Sequence, residues 1–522
     1  MSAEPLEVSQ GSGFDGLEWV QDGIWGTEPR WTIEPDEEAI KQTVQSSSNL
    51  PSGPCDIEFL AQGAFNKVYV LRLAEQQVIA RVTLPVDPRW KTLSEVATLR
   101  WVRHNTSLPV PEVLSFQADR ASAIGFEWIA MSKMPGTSLG DRWRDVPFST
   151  KEEIIRRLAI FCSETFRAQL EGIGSLFLDD GTETPTSATS SAESRPVLGG
   201  SIQVQPNLDS FRIQRIVSAE FIWDNRIHAQ VPRGPFKSSK DWILARLLLS
   251  ETLCRDRLSR LKSKNLSAPG QADRGAGLED KRGNEHEGSE HRDKNNKLQS
   301  EEEEEKDKGD GDSEDKDNGD GDSDDEDEGD GDSDDEDDLE ELEHTMDIIS
   351  RLRRHLDDFF PPPGSEPEPT MILHDDLSRQ NILVDDDGNL TAVVDWECIS
   401  AVPRWMACQI PPLLQGKHRD EEPIKAIYEH DEDGNVVELF WEHLDDYELT
   451  QLRRVFLGEM ERLQPEWMEI FESSQRQRDF DLAVSSCSDE FLIRRIRAWL
   501  DDVEKGVEGF EGLEERIDNA SL

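Results

Sequence analysis

Three polar side chains between His374 and Asp395 have the types and spacing that phosphoryl transfer needs. The segment His374-Asp-Asp376-Leu-Ser-Arg-Gln-Asn381 fits the pattern H-x-D-L-x-x-x-N, and Asp395 follows it. Such chemistry demands accurate positioning more than covalent participation. One carboxylate must accept the proton of the attacking hydroxyl, a part suited to Asp376. A carboxamide oxygen can ligate Mg²⁺ without adding charge, which suits Asn381. A second carboxylate must bring the metal against the β- and γ-phosphates, which suits Asp395. His374 joins Asp376 in the catalytic loop, where a histidine braces the backbone by hydrogen bonding more often than it moves a proton. Asp and Asn also form turns, and that explains Asp385-Asp-Asp-Gly388. It does not explain the whole Asp376, Asn381 and Asp395 set.

Positioning these groups takes a hairpin and an opposite wall. Two short apolar strands, Ile382–Val384 and Leu390–Val394, flank the turn and bring the polar side chains to one end. For the opposite wall, Lys67–Leu73 and Gln77–Leu84 alternate and are joined by a short link, which predicts a second hairpin. Gly63-Ala64-Phe65-Asn66-Lys67 lies before it, where a loop would cap the phosphates, although one glycine stands where G-x-G-x-x-G has three. Val78-Ile-Ala-Arg81 corresponds in kind to the strand motif V-A-I-K with Arg for Lys. A guanidinium can neutralise α- and β-phosphates and pair with Glu95, but it is larger and forked, so the exchange is not conservative. Glu95 lies in a helix predicted over Leu93–Arg103. Met131-Ser-Lys133-Met134, ahead of Pro135-Gly136, reads as an interlobe link whose backbone would hold a purine, with Lys133 among the nucleotide-binding residues.

Further strands are expected at Val113–Phe116 and Phe126–Met134, then helices. One opens on the capping-box signature Ser149-x-x-Glu152, and others are expected near 238–261, from Leu339, and over 446–462, 466–478 and 488–504. Residues 1–50 carry Trp19, Trp25 and Trp31 without a regular pattern, apart from a possible helix at Glu34–Val44, and should pack on a folded domain.

The net charge is −53, and about half of it falls within 301–343. Residues 262–338 have almost no apolar side chains and repeat Gly-Asp-Gly-Asp-Ser at 309, 319 and 329, which predicts disorder and offers a surface for basic proteins. The acidic balance argues against nucleic acid, and no apolar run is long enough to cross a membrane. The six scattered cysteines include no C-x-x-C pair, and the polar, acidic start is unlike a leader. A cytoplasmic protein is expected, with the nucleus also compatible.

Together these motifs resemble the aminoglycoside phosphotransferase/choline kinase-like group of the protein-kinase-like superfamily. The resemblance rests on His374-x-Asp376-x4-Asn381, Asp395-Trp396, Gly63-x-Phe65-Asn66-Lys67-Val68 and Glu95. The run from Asp395 to Trp405 and Arg233-Gly-Pro-Phe236 look like a fungal-type branch. The resemblance implies an α+β bilobal fold: a small antiparallel sheet with one helix, then a larger helical lobe, with nucleotide between them. It implies transfer of the γ-phosphate of ATP or GTP to a small-molecule hydroxyl. Asp-Trp in place of D-F-G, with no A-P-E segment after it, favours a small substrate over a protein. The implied division is an N-terminal extension (1–54), N-lobe (55–135), first part of the C-lobe (136–261), acidic insert (262–338), catalytic part of the C-lobe (339–505) and tail (506–522). Because Arg81 and the glycine loop depart from the pattern, a second reading stands beside this one: a pseudokinase or acidic interaction module that binds nucleotide with little or no transfer.

Overall fold

The computed structural model describes residues 14–21, 26–47, 50, 53–73, 76–179, 210–267, 331–362, 364–431, 434–507 and 509–519. The chain divides into two units, Met1–Arg257 with Glu340–Leu522, and Leu258–Leu339. Every site residue belongs to the first. The helices Ser239–Ser267 and Gly331–Phe359 reach into the range expected to be disordered. Once nucleated, a helix propagates beyond its last apolar residue at little cost. Residues 268–330, with most of the acidic repeat, lie outside the described residues.

The N-terminal part contains β1 (Leu17–Gln21), β2 (Thr27–Trp31), α1 (Glu37–Ser47), β3 (Cys55–Gln62), β4 (Asn66–Leu73), β5 (Gln76–Thr83), α2 (Trp90–Asn105), β6 (Val113–Gln117) and β7 (Glu127–Ser132). Five strands form one antiparallel sheet in the order β3-β4-β5-β7-β6. Central β5 is covered on both faces. Val78, Ala80 and Val82 enter a core with Leu71, Leu73 and Trp128, while Ile79 packs on the other side with Val96 of α2, Ile129 and Met131. Side chains alternate along a strand, so Arg81 shares the face of Ile79 and points toward α2. That alternation is why Arg81 meets Glu95.

β1 and β2 form a hairpin where no regular pattern was expected. It is held by buried aromatics, with Trp31 5.0 Å from the Phe126 ring and Trp19 only 2 % exposed. In α1, Ile40 and Val44 are fully buried in the same core.

In the helical part, Phe148–Arg167 buries Ile154, Leu158, Phe161 and Phe166. The predicted capping box is not formed. Pro147 is the N-cap, without a side-chain cap, and Ser149 already lies inside the first turn. The expected helix at 466–478 is two, Pro465–Ser473 and Gln475–Ser485. The catalytic hairpin, Ile382–Val384 with Leu390–Val393, gains a third strand from Thr137–Ser138. This ties the interlobe link to the hairpin, and Thr391 Oγ1 adds a hydrogen bond of 2.6 Å to the Pro135 carbonyl. Gly136 lies between at φ +103°, where a Cβ would come within 2.4 Å of the Val384 carbonyl oxygen, so only glycine fits.

Candidate active site

The catalytic loop is fixed from both ends. His374 follows the strand Pro369–Leu373, and buried Leu377 accepts the Leu413 N–H through its carbonyl at 3.0 Å. Arg379 sits 3.8 Å from the Trp143 ring and donates to both oxygens of Asp445 at 2.9 Å. Asn381 ends the short turn Arg379–Asn381 and accepts the Val394 N–H at 2.9 Å. Its carboxamide N–H₂ donates to the Asp376 carbonyl at 2.9 Å and to Asp376 Oδ2 at 2.8 Å. Asp376 itself is exposed at the mouth of the site.

Asp395 follows the second strand in a left-handed conformation, φ 64°. That conformation costs an aspartate about 1 kcal/mol and turns its carboxylate out of the strand direction. Trp396 holds the bend. It is 1 % exposed, donates Nε1–H to the Val393 carbonyl at 3.0 Å, and meets the His374 ring edge-on at 4.7 Å. His374 Nε2 lies 3.1 Å from the Val394 carbonyl, which it can only reach as a donor. Burial lowers the His374 pKa to about 4, so the ring is neutral near pH 7. Through these two contacts His374 braces the backbone at Val394 against Trp396.

The opposite wall is a cluster of buried charges. Arg81 Nη1 lies 3.0 Å from Glu95 and 3.3 Å from Asp395, and Nη2 contacts Glu397. Lys91, from the first turn of α2, pairs with Glu397 as well. Asn66 donates to Glu397 at 2.7 Å and accepts the Thr83 hydroxyl at 2.8 Å. Burial opposes the charge of Glu397, but Arg81 and Lys91 outweigh it and hold the carboxyl at about 2. Burial pushes Glu95 up to about 7 against the pull of Arg81. Asp395 is raised by burial and then by the neighbouring charge of Glu397.

Of the residues named from sequence, Arg81, Glu95, Asn66 and Asp395 thus meet in one cluster, with Asp376 and Asn381 coupled beside it. The remaining loop residues make no side-chain hydrogen bond or ion pair with the cluster among the described residues. Gly63 and Ala64 are exposed, and nothing lies within 4 Å of a Cβ built on Gly63. Phe65 is buried against Trp223, 5.3 Å between rings. Lys67 is turned away to Glu34 and the Trp31 ring, 5.2 Å from its centroid. Lys133 is half-buried beyond the end of β7, and among the described residues no ion pair joins it to the cluster.

Lys91 and Glu397 were not singled out from sequence, though both left a trace. Lys91 stands one helical turn before Glu95, and Glu397 stands two residues after Asp395.

Among the described residues, no three His, Cys, Asp or Glu side chains converge as a metal cage. Mg²⁺ does not need one, since it takes one or two protein oxygens and completes its octahedron with water and phosphate. Asn381 Oδ1 and Asp395 Oδ2 have no hydrogen-bond partner among the described residues, and both are hard oxygen donors. Around them two cations, Arg81 and Lys91, face three carboxylates, Glu95, Asp395 and Glu397, and the Asp376 charge is near enough to act on Asp395. The uncompensated negative charge suits a divalent cation.

Residues 56–174 and 302–406 match the Phosphotransferase enzyme family. The matched ranges contain β3–β7, Arg81, Lys91 and Glu95 on one side and Asp376, Asn381, Asp395 and Glu397 on the other. The chain is 30 % identical over 187 residues to a subtelomeric hrmA-associated cluster protein of Aspergillus fumigatus, covering 35 % of this chain and 33 % of that one. It is 26 % identical over 254 residues to altered inheritance of mitochondria protein 9, mitochondrial, of Meyerozyma guilliermondii, covering 46 % and 39 %. The chain thus spans about a third of the length of the curated relatives it matches. Among solved structures, aminoglycoside phosphotransferase APH(4)-Ia aligns at 11 % identity and a TM-score of 0.36, covering 91 % of this chain and all of that one. The fungal-type branch expected from the sequence agrees with the fungal origin of these two relatives.

Proposed function

We propose that the protein transfers the γ-phosphate of ATP or GTP to a hydroxyl of a small molecule, with Asp376 as the base. The observation that carries this reading is the pairing of two walls. Asp376, tied to Asn381, and Asp395 stand at one end of a hairpin, and Asp395 lies 3.3 Å from the Arg81 that also holds Glu95. The acceptor O–H gives its proton to the Asp376 carboxylate as its oxygen forms a bond to the γ-phosphorus. The bond from that phosphorus to the β–γ bridging oxygen breaks, and the nucleoside diphosphate leaves. Asn381 aims the base, because its N–H₂ holds one Asp376 oxygen and leaves the other toward solvent. Arg81 meets the phosphate charge, and Glu95 fixes the guanidinium. Asn381 Oδ1 and Asp395 Oδ2 would hold Mg²⁺, which would screen the charge on the β- and γ-phosphates. A small acceptor fits the lack of an A-P-E segment after Asp395.

Thermal melting tests the reading. ATP or GTP with Mg²⁺ should raise the melting temperature, by linkage between binding and folding, and a chelator should remove the effect. Melting that no nucleotide moves, with or without metal, would reject it. Protection without transfer to any acceptor would favour a pseudokinase.

A further inference from the structure

We propose that Lys91 is a second cation of the phosphate-binding wall, acting with Arg81 on the nucleotide phosphates and held ready by Glu397; this rests on the phosphotransferase reading above. Lys91 is 1 % exposed in the first turn of α2. A lysine is almost never buried so completely without a partner, and a positive charge in a helix's first turn opposes the macrodipole. Its place is therefore set by what it faces. The ammonium pairs with Glu397 and donates to Asn66 Oδ1 at 3.2 Å, and the Phe65 ring covers it with the centroid 5.8 Å away.

A single oxygen, Glu397 Oε2, collects Lys91 Nζ, Arg81 Nη2 at 2.5 Å and Asn66 Nδ2 at 2.7 Å. Two cations and a carboxamide converging on one point form an anion site, and a phosphate oxygen has the same chemistry as the carboxylate oxygen now there. The donors are not exhausted. An ammonium carries three N–H groups, of which Glu397 and Asn66 take two. Buried Arg81 Nε also has no acceptor among the described residues.

The rest of the wall leaves a part for a second cation. Gly63 and Ala64 are exposed and Lys67 is committed to Glu34, so the loop supplies no positive charge to the phosphates. Lys91 reaches the cluster from α2 and supplies it from the helix side. The rival role is structural, in which Lys91 only neutralises Glu397. The two differ in what they do to ligands: a structural lysine affects the whole cleft, whereas a phosphate-binding lysine discriminates by phosphate.

The test is calorimetric binding, without turnover, of adenosine, ADP and ATP, and of guanosine, GDP and GTP, each with Mg²⁺. It compares wild type, Lys91→Met, Glu397→Gln and the double variant Lys91→Met/Glu397→Gln. The double variant removes the carboxylate that Lys91→Met leaves short of a partner, which guards against misfolding. Lys91→Met should weaken di- and triphosphate binding about tenfold or more and leave nucleoside binding unchanged. The double variant should show the same loss relative to Glu397→Gln alone. Di- and triphosphate binding equal to that of the parent protein overturns the proposal, as does an equal loss for the nucleoside. A wild type that binds none of these nucleotides overturns the phosphotransferase reading itself, a result distinct from a wild type that binds and variants that match it.

Discussion

Replacing Arg81 by lysine would restore the residue that the V-A-I-K strand motif carries, yet it should weaken the protein. Arg81 is 7 % exposed and spreads two Nη groups over three carboxylates, Glu95 at 3.0 Å, Asp395 at 3.3 Å, and Glu397. A lysine offers one ammonium at one point and cannot span them. Glu397 would keep Lys91 and Asn66. Glu95 would not be covered in this way, because its Oε2 has no hydrogen-bond partner among the described residues and Arg81 is its ion pair. At least one charge-assisted hydrogen bond in a buried setting is lost, about 1.5–3 kcal/mol. At 2–4 °C per kcal/mol this lowers the melting temperature by roughly 3–12 °C. Arg81→Met, which leaves Glu95 without an ion pair among the described residues, should cost about 3–5 kcal/mol. Urea unfolding measures the stability, and calorimetric titration with nucleotide measures the affinity, which should fall in both variants. If Arg81→Lys were as stable as wild type and bound nucleotide more tightly, the forked contact would be irrelevant and the reasoning wrong.

Lys67→Ala should leave nucleotide affinity unchanged, since Lys67 faces Glu34 and Trp31, and its exposed partner limits the stability loss to about 1 kcal/mol; titration and melting check both. His374 has a folded-state pKa near 4, below its ordinary 6.5, so the unfolded chain takes up the proton first on acidification. The stability it contributes is fully present above about pH 6.5 and is lost as pH falls toward 4, up to about 3 kcal/mol. In His374→Gln this part of the pH dependence should vanish, as read from unfolding free energies at pH 7 and pH 4.5. Trp223→Ala removes the ring that packs on Phe65 and the Nε1–H bond to the Thr27 carbonyl, 2.9 Å. It should lower stability by about 2 kcal/mol and speed amide exchange across Gly63–Asn66.

What the sequence made legible was whatever depends on local spacing. Asp376, Asn381 and Asp395 sit at the ends of short apolar strands, so pattern alone shows that they belong together. Arg81 and Glu95 were legible because strand alternation and helical periodicity each fix a direction, and the two directions meet. Lys91 and Glu397 were not, because their contact joins a helix start to the far side of the hairpin and leaves no period to read. The helix pattern also begins at Leu93, after Lys91, whereas the helix itself begins at Trp90. The place of Lys67 beside the loop points to the phosphates, but its direction is set by Glu34 in the N-terminal extension, which no local rule relates to it. The hairpin β1–β2 is only five residues on each side, too short for periodicity to stand out, and is held by tertiary contacts of Trp19 and Trp31. The capping-box signature at Ser149 is overridden because Pro147, two residues earlier, takes the N-cap position.

The central claim is that Asp376 removes a proton while phosphate moves to a small hydroxyl. It is tested most directly by offering γ-labelled ATP and GTP with Mg²⁺ to a panel of hydroxylated metabolites, with wild type and Asp376→Asn in parallel. The account predicts label on at least one acceptor with wild type, and no transfer with Asp376→Asn, which should still bind nucleotide. Transfer that persists undiminished in Asp376→Asn, or a nucleotide-binding wild type that labels no acceptor, would contradict it.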